Sequence, residues 1–126
     1  MDVTPVIPAG KQVLERYGTD GFRVSGVLFA GAILLFPDET REWAPRRMAE
    51  VTEDSLDPAI AHGEVEILLL GCGRRMAMVP AALRARLKQA GIVIDAMDTG
   101  AACRTYSVLL GEGRRVAAAL LPVAAE

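Results

Sequence analysis

The first third of the chain contains short apolar runs that are separated by glycines and by a Pro-Asp breaker. Such runs are typical of a β-meander, which we predict over residues 18–43. Its expected strands are residues 22–24, 27–29 and 32–36. Residues 1–17 form a poorly defined start, because the apolar side chains around Leu14 and Tyr17 fit a helical turn or an edge strand equally well.

The rest of the chain, residues 44–126, alternates between strand and helix patterns, which is typical of an α/β fold. Nearly continuous apolar runs predict strands that are covered on both faces, and the spacing of Leu83 and Leu87 predicts a helix between two of them. The predicted elements are strands 65–70, 92–97 and 116–121 and helices 80–90 and 100–110. A strand–helix–strand unit of this kind has parallel strands and a right-handed crossover.

Together these patterns predict a single α/β domain over residues 1–126. We expect three layers, in which the N-terminal β-meander packs with a mixed sheet that carries the βαβ unit and its flanking helices. With 126 residues, of which 52% are hydrophobic, the chain is long and apolar enough to bury a core. Disorder is therefore excluded as its main state.

Charge and hydropathy exclude several classes of partner. Charged residues make up 24% of the chain and the formal net charge is −2, so no basic surface predicts a nucleic-acid partner. The longest apolar run, residues 116–125, is too short to cross a bilayer, and residues 1–5 do not resemble a signal peptide. We therefore expect a cytoplasmic protein that is not integral to a membrane. The pattern leaves its oligomeric state open.

Two of the predicted parallel strands end at Leu70 and Met97, so the loops that follow them should meet at one edge of the sheet. Glycines there let backbone N–H groups approach a ligand, and arginines supply positive charge. The predicted ligand-binding residues are Gly71, Cys72, Gly73, Arg74, Asp98, Thr99, Gly100 and Arg104. A small anion or the carboxylate of a partner fits this chemistry, but ordinary capping of an α/β unit also explains it.

The start of the helix at residue 100 helps to decide between ligand binding and ordinary helix capping. Asp98 and Thr99 are both good N-cap residues, and one of them should accept a backbone N–H of the first turn. Arg104 follows in the early turns, where the helix dipole disfavours a cation that lacks a partner. We favour an ion pair with Asp98, which would serve the fold, over an anion shared with residues 71–75, which would serve a ligand.

No motif in the chain assigns catalysis, a metal or a cofactor. The Gly-x-Gly sequence at 71–73 lacks the third glycine of a dinucleotide-binding loop, because Met76 stands in that place. His62 is the only histidine, so no histidine cluster can hold a metal. Cys72 and Cys103 form no Cys-x-x-Cys motif, and we expect them to be inert thiols.

Four segments of the chain resemble, in order, those of the small uncharacterised Mth938-like α/β family. These segments are residues 18–26, 37–43, 68–73 and 97–106, and the match extends over about residues 15–121. The eukaryotic branch of that family includes a mitochondrial assembly factor for respiratory complex I. The resemblance implies a three-layer domain with a mixed sheet and no established enzymatic activity. Members usually have threonine where Cys72 stands, so the resemblance implies no catalytic role for that thiol.

Two classes of function follow from the sequence. The first is a non-catalytic interaction or assembly module with a protein partner, as the resemblance implies. The second is a protein that binds a small molecule or an anion, and that could be an enzyme, through the glycine and arginine loops at 71–75 and 98–104. We favour the first class, and expect no catalytic residue, metal or cofactor.

Overall fold

The computed structural model describes residues 10–123, which form two β-sheets packed with helices. The strands are β1 (Leu14–Tyr17), β2 (Gly21–Val24), β3 (Val27–Ala30), β4 (Ala32–Leu35), β5 (Thr40–Trp43), β6 (Ile67–Gly71), β7 (Val93–Met97) and β8 (Val116–Leu120). The α-helices are α1 (Asp57–His62), α2 (Ala81–Gln89) and α3 (Thr99–Gly111), and the short 3-10 helices Met48–Glu50 and Asp54–Leu56 precede α1. The mixed α/β fold class predicted from the sequence is confirmed.

The larger sheet has five strands in the order β5-β4-β8-β6-β7. Strand β6 is parallel to both β7 and β8, whereas β4 is antiparallel to β5 and β8. The predicted parallel pairing of residues 65–70 with 92–97 is thus confirmed, with Ile67 opposite Val93. The last strand, β8, takes the central place in the sheet.

Strand β8 has the sequence Val-Ala-Ala-Ala-Leu, and all five residues are buried. Ala117 and Ala119 face a core formed with α1 and α2, whereas Val116, Ala118 and Leu120 face a core formed with α3 and the small sheet. Because alanine side chains are small, the layers on both sides can approach the middle of the sheet closely. The sheet is therefore the middle one of three layers, as predicted.

The smaller sheet contains β1, β2 and β3 as antiparallel neighbours. The predicted meander is wrong in one respect, because residues 32–36 leave this sheet and form β4 at the interior of the larger one. All four residues of β4 are buried, and a strand that is apolar on both faces needs a position that is covered on both sides. Gly31, with φ +79°, carries the chain from one sheet to the other.

The turn and the bulge of the small sheet determine which side chains reach the core. Ser25 (φ +47°) and Gly26 (φ +83°) form a two-residue hairpin loop between β2 and β3, as expected for a turn in which both residues have positive φ. The pairing of β1 with β2 is irregular between Leu14 and Arg16. That extra residue lets Leu14 and Tyr17 both face the core, although they are three positions apart.

Four aromatic residues, Phe22, Phe29, Phe36 and Trp43, are spaced seven positions apart in the sequence, and most of them contribute to the core. Phe22, Phe36 and Trp43 are buried, whereas Phe29 is only partly buried.

Within residues 10–123, no helix combines the length and the hydrophobicity that a membrane crossing requires.

Candidate functional site

Thr99 connects the two loops that the sequence placed at one edge of the sheet. Its buried side-chain Oγ1 accepts a hydrogen bond from the N–H of Gly73 at 2.8 Å and donates to the carbonyl of Leu121 at 2.6 Å. Its own N–H donates to the Gly73 carbonyl at 2.8 Å. The loop after β6, the start of α3 and the end of β8 are therefore joined through one residue.

The glycines of this edge make that close approach possible. A Cβ added at Gly71 would lie 2.9 Å from Cδ2 of Leu120 and 3.1 Å from Cα of Thr99, which is closer than side chains normally pack. Gly73 has φ +92°, a backbone conformation that other residues rarely adopt. The sequence correctly grouped these glycines with Thr99, but in this geometry their contacts are with the protein itself.

Asp98 is the N-cap of α3. Its side-chain carboxylate accepts the N–H of Ala101 at 2.9 Å, whereas Thr99 is the first residue of the helix and bonds elsewhere. Of the two candidate caps, Asp98 is therefore the one observed. The carboxylate already places a negative charge at the positive end of the helix, which disfavours a bound anion at the same point.

Replacing Asp98 with alanine is expected to lower the free energy of unfolding by roughly 0.5–2 kcal/mol, because an N–H of the first turn of α3 loses its acceptor. Urea denaturation followed by circular dichroism measures this loss. The matched control is Asp95→Ala, which removes the same charge from an exposed position on β7. Equal midpoints for the two variants would contradict the capping role.

Arg104 is exposed, and it does not form the ion pair with Asp98 that we favoured from the sequence: no such pair occurs within residues 10–123. Its Nη1 lies 3.5 Å from the hydroxyl oxygen of Tyr17. The reason is helical geometry, because residues four apart share a face and residues six apart do not. Arg104 therefore lies above Gly100, where an added Cβ would meet the Tyr17 hydroxyl at 2.7 Å.

The two thiols are in environments that suppress reactivity, as expected from the sequence. Cys103 is fully buried, and this burial raises its pKa to about 12. Cys72 is half-buried, and burial also raises its pKa above the ordinary value. Because the thiolate is the reactive form, the raised pKa values disfavour nucleophilic chemistry at both thiols at neutral pH.

The sequence analysis overlooked the exposure of the segment between β6 and α2. Residues 72–80 have no regular secondary structure, and Met76 and Met78 are 63% and 87% exposed. Arg74 and Arg75 directly before them are exposed as well. We call residues 74–78 the Arg-Met loop. The signal that could have found it is the sequence Arg-Arg-Met-Ala-Met, which is unusual for a solvent-exposed connection.

The only histidine lies at the other end of the strands, away from the loops that follow β6 and β7. His62 ends α1, and its ring stacks on Phe36 with 4.5 Å between ring centroids. Its Nε2 lies 2.8 Å from a carboxylate oxygen of Asp38, and this contact lowers the pKa of Asp38 below its ordinary value. The described part of the chain contains no group of three His, Cys, Asp or Glu side chains that could hold a metal.

The fold and the loops at this edge define a class of protein. It is a small α/β domain in which hydrogen bonds through Thr99 connect the glycine loop after β6, the start of α3 and the end of β8, next to the exposed Arg-Met loop. Residues 14–121 match the family described as "Protein of unknown function (DUF498/DUF598)", and the chain belongs to that family. A solution structure from Bordetella pertussis, described as a Mth938-like domain, has a TM-score of 0.84 and 29% identity, with 98% of this chain and 94% of that one covered. The family resemblance predicted from the sequence is thus confirmed.

Other relatives agree with this assignment. A crystal structure from Bordetella parapertussis is 38% identical, with a TM-score of 0.83, and the match covers 91% of this chain and 99% of that one. An uncharacterized protein of Rhodobacter capsulatus is 35% identical over 91% of this chain and 88% of its own length. The human NADH dehydrogenase [ubiquinone] 1 alpha subcomplex assembly factor 3 is 30% identical over 86% of this chain. The match spans only 60% of that human protein.

Proposed function

We propose that this protein is a non-catalytic assembly module that acts on a respiratory NADH dehydrogenase and contacts a subunit of that enzyme through the Arg-Met loop. Support for the assembly role comes from relatives in several animals that carry the name of an assembly factor for this enzyme. The observation that supports the loop as the contact surface is the exposure of two methionines beside two arginines.

The composition of the Arg-Met loop is that of a protein interface. Methionine and arginine are enriched where proteins meet, whereas the rest of a surface is usually rich in lysine and glutamate. Methionine is flexible and polarizable, so Met76 and Met78 can fit an irregular apolar surface on a partner. Arg74 and Arg75 can each form bidentate contacts with a carboxylate. The matching partner segment is apolar and is flanked by aspartate or glutamate.

The contacts below the loop favour this function over binding of a small anion. The N–H groups of Gly73, Thr99 and Ala101 all donate to acceptors within the protein. A loop of glycines that held an anion would instead need these donors for the ligand. The glycines and Thr99 therefore hold in place the part of the protein on which the Arg-Met loop rests. The exposed side chains of the Arg-Met loop contact the partner.

We test the role by deleting the gene for this chain in its own organism and measuring assembled NADH dehydrogenase on native gels together with NADH:quinone activity in membranes. Both are expected to fall in the deletion strain and to return with the wild-type gene. Complementation with Arg74→Glu/Arg75→Glu is expected to restore less than roughly a tenth of the activity, because like charges then face the partner's carboxylates.

The matched control is Arg47→Glu/Lys88→Glu, which makes the same change in net charge at two exposed positions outside the loop. This variant is expected to complement as the wild type does. A deletion strain with normal NADH dehydrogenase would overturn the assembly role. Full complementation by the loop variant would leave that role standing and exclude the Arg-Met loop as the contact surface.

A further inference from the structure

Strand β3 is an edge strand that lacks the features with which edge strands normally avoid pairing. It lies at one end of the small sheet and, within residues 10–123, pairs only with β2. Its sequence is Val-Leu-Phe-Ala, with no charge, proline or bulge. Val27 is 53% exposed and Leu28 is 79% exposed. An apolar, regular and exposed edge of this kind is a template for a further strand.

The hairpin loop determines which backbone groups of β3 face the open edge. In a two-residue hairpin the residues that flank the loop, here Val24 and Val27, exchange both backbone hydrogen bonds. Bonding then alternates along the strand, so Phe29 also bonds to β2 and Leu28 and Ala30 do not. The N–H and C=O groups of Leu28 and Ala30 are therefore directed away from β2, towards a strand that would pair with β3.

We propose that this strand is β3 of a second copy of the chain, paired antiparallel about a two-fold axis at Leu28. The two-fold axis places each Leu28 directly opposite the other, and the two residues exchange N–H···O=C bonds. Val27 of each copy then lies opposite Phe29 of the other. The two small sheets join into one sheet of six strands.

The register at Leu28 makes the edge self-complementary. Leu28 lies on the outer face beside Arg23, whereas Val27 and Phe29 lie on the inner face. A two-fold axis perpendicular to the sheet keeps outer faces together, so Leu28 covers Leu28 and Val27 covers the partly buried Phe29. An axis at Phe29 would instead place Val27 opposite Gly31, which has no side chain to cover it. Pairing at Leu28 is thus the register that covers both large exposed apolar side chains of β3, Val27 and Leu28.

Charge does not oppose this pairing. Arg23 is the charged residue directly beside Leu28, and its Nε lies 3.4 Å from a carboxylate oxygen of Glu15. The same carboxylate accepts the N–H of Gly26 at 2.7 Å, which holds it at the hairpin. In the dimer the two Arg23–Glu15 pairs lie on opposite sides of the axis, one strand away from the contact. Because β3 is only four residues long, the dimer is weak and depends on concentration.

The test uses Leu28→Cys in the full chain. Hydrogen-bonded antiparallel partners have Cα atoms about 5.5 Å apart, which lies within the range for a disulfide. Mild oxidation is expected to convert most of this variant into a covalent dimer that reductant reverses. The matched control is Val93→Cys, which places a thiol at an exposed position on the edge strand of the other sheet. Cross-linking of Leu28→Cys no faster than Val93→Cys would overturn the proposed register.

Sedimentation of the protein without added cysteines supplies the second measurement. Over roughly 1 µM to 1 mM, the wild-type mass is expected to rise from 13.4 kDa towards twice that value. Leu28→Lys is expected to remain at 13.4 kDa with an unchanged melting temperature, because Leu28 makes little contact within one copy. A wild-type protein that stays monomeric throughout this range would overturn the proposal. Neither result depends on the role of the Arg-Met loop.

Discussion

Replacing Thr99 with valine is expected to lower the free energy of unfolding by roughly 2–5 kcal/mol, which is a large part of the stability of a domain of this size. Valine has nearly the shape of threonine, so the buried space remains filled. However, the N–H of Gly73 loses its acceptor and the carbonyl of Leu121 loses its donor. Each buried polar group that loses its partner costs about 1–3 kcal/mol.

Thr99→Ser is the matched variant, because it keeps the hydroxyl and removes only a methyl group. We expect it to recover most of the stability that Thr99→Val loses. Urea unfolding at constant m-value measures both variants. A Thr99→Val protein within about 0.5 kcal/mol of wild type would show that this hydroxyl does not hold the edge together.

The sequence predicted the parts of this edge that depend on local signals. The apolar runs, the glycines and the N-cap position are all features of neighbouring residues, and they correctly placed the loop after β6 beside the start of α3. The bond from Thr99 to Leu121 depends on where β8 lies, which no local pattern reveals. Arg104 was assigned the wrong partner, because its observed neighbour, Tyr17, is 87 residues away in sequence.

The same limit explains the error in the meander. Residues 32–36 were correctly predicted to be a strand, since a short apolar run after a glycine is a local signal. Which sheet the strand joins depends on where its two apolar faces can be covered, and that is decided by β8 and the helices. The exposed Arg-Met loop was overlooked for a related reason, because methionine is usually buried and its exposure depends on the surrounding structure.

Replacing Tyr106 with alanine is expected to have the largest effect on stability, a loss of roughly 3–5 kcal/mol. Tyr106 lies on α3 and is fully buried in the core that α3 shares with the small sheet, and it is the largest fully buried side chain within residues 10–123. Its hydroxyl has no hydrogen-bond partner within the described residues, and burial raises its pKa above the ordinary value. We therefore expect the buried ring, rather than the hydroxyl, to supply the stabilising contribution of this side chain.

Tyr106→Phe separates these two contributions, because it keeps the ring and removes the hydroxyl. We expect this variant to be as stable as wild type or more stable, since it no longer buries a polar group without a partner. Thermal and urea unfolding of the two variants provide the comparison. A loss of more than about 1 kcal/mol in Tyr106→Phe would mean that the hydroxyl has a stabilising contact.

The central place of β8 has a consequence for synthesis on the ribosome. Until residue 120 has left the ribosome, the β4–β5 hairpin and the β6–α2–β7 unit have no strand to join them. The nascent chain then presents two apolar sheet edges at once, those of β4 and β6, and such edges pair readily with other chains. Closing the sheet also brings together residues about 85 positions apart, which is slow. We therefore expect that folding begins late in translation, and that substitutions in β8 reduce the yield of folded protein more strongly than its final stability.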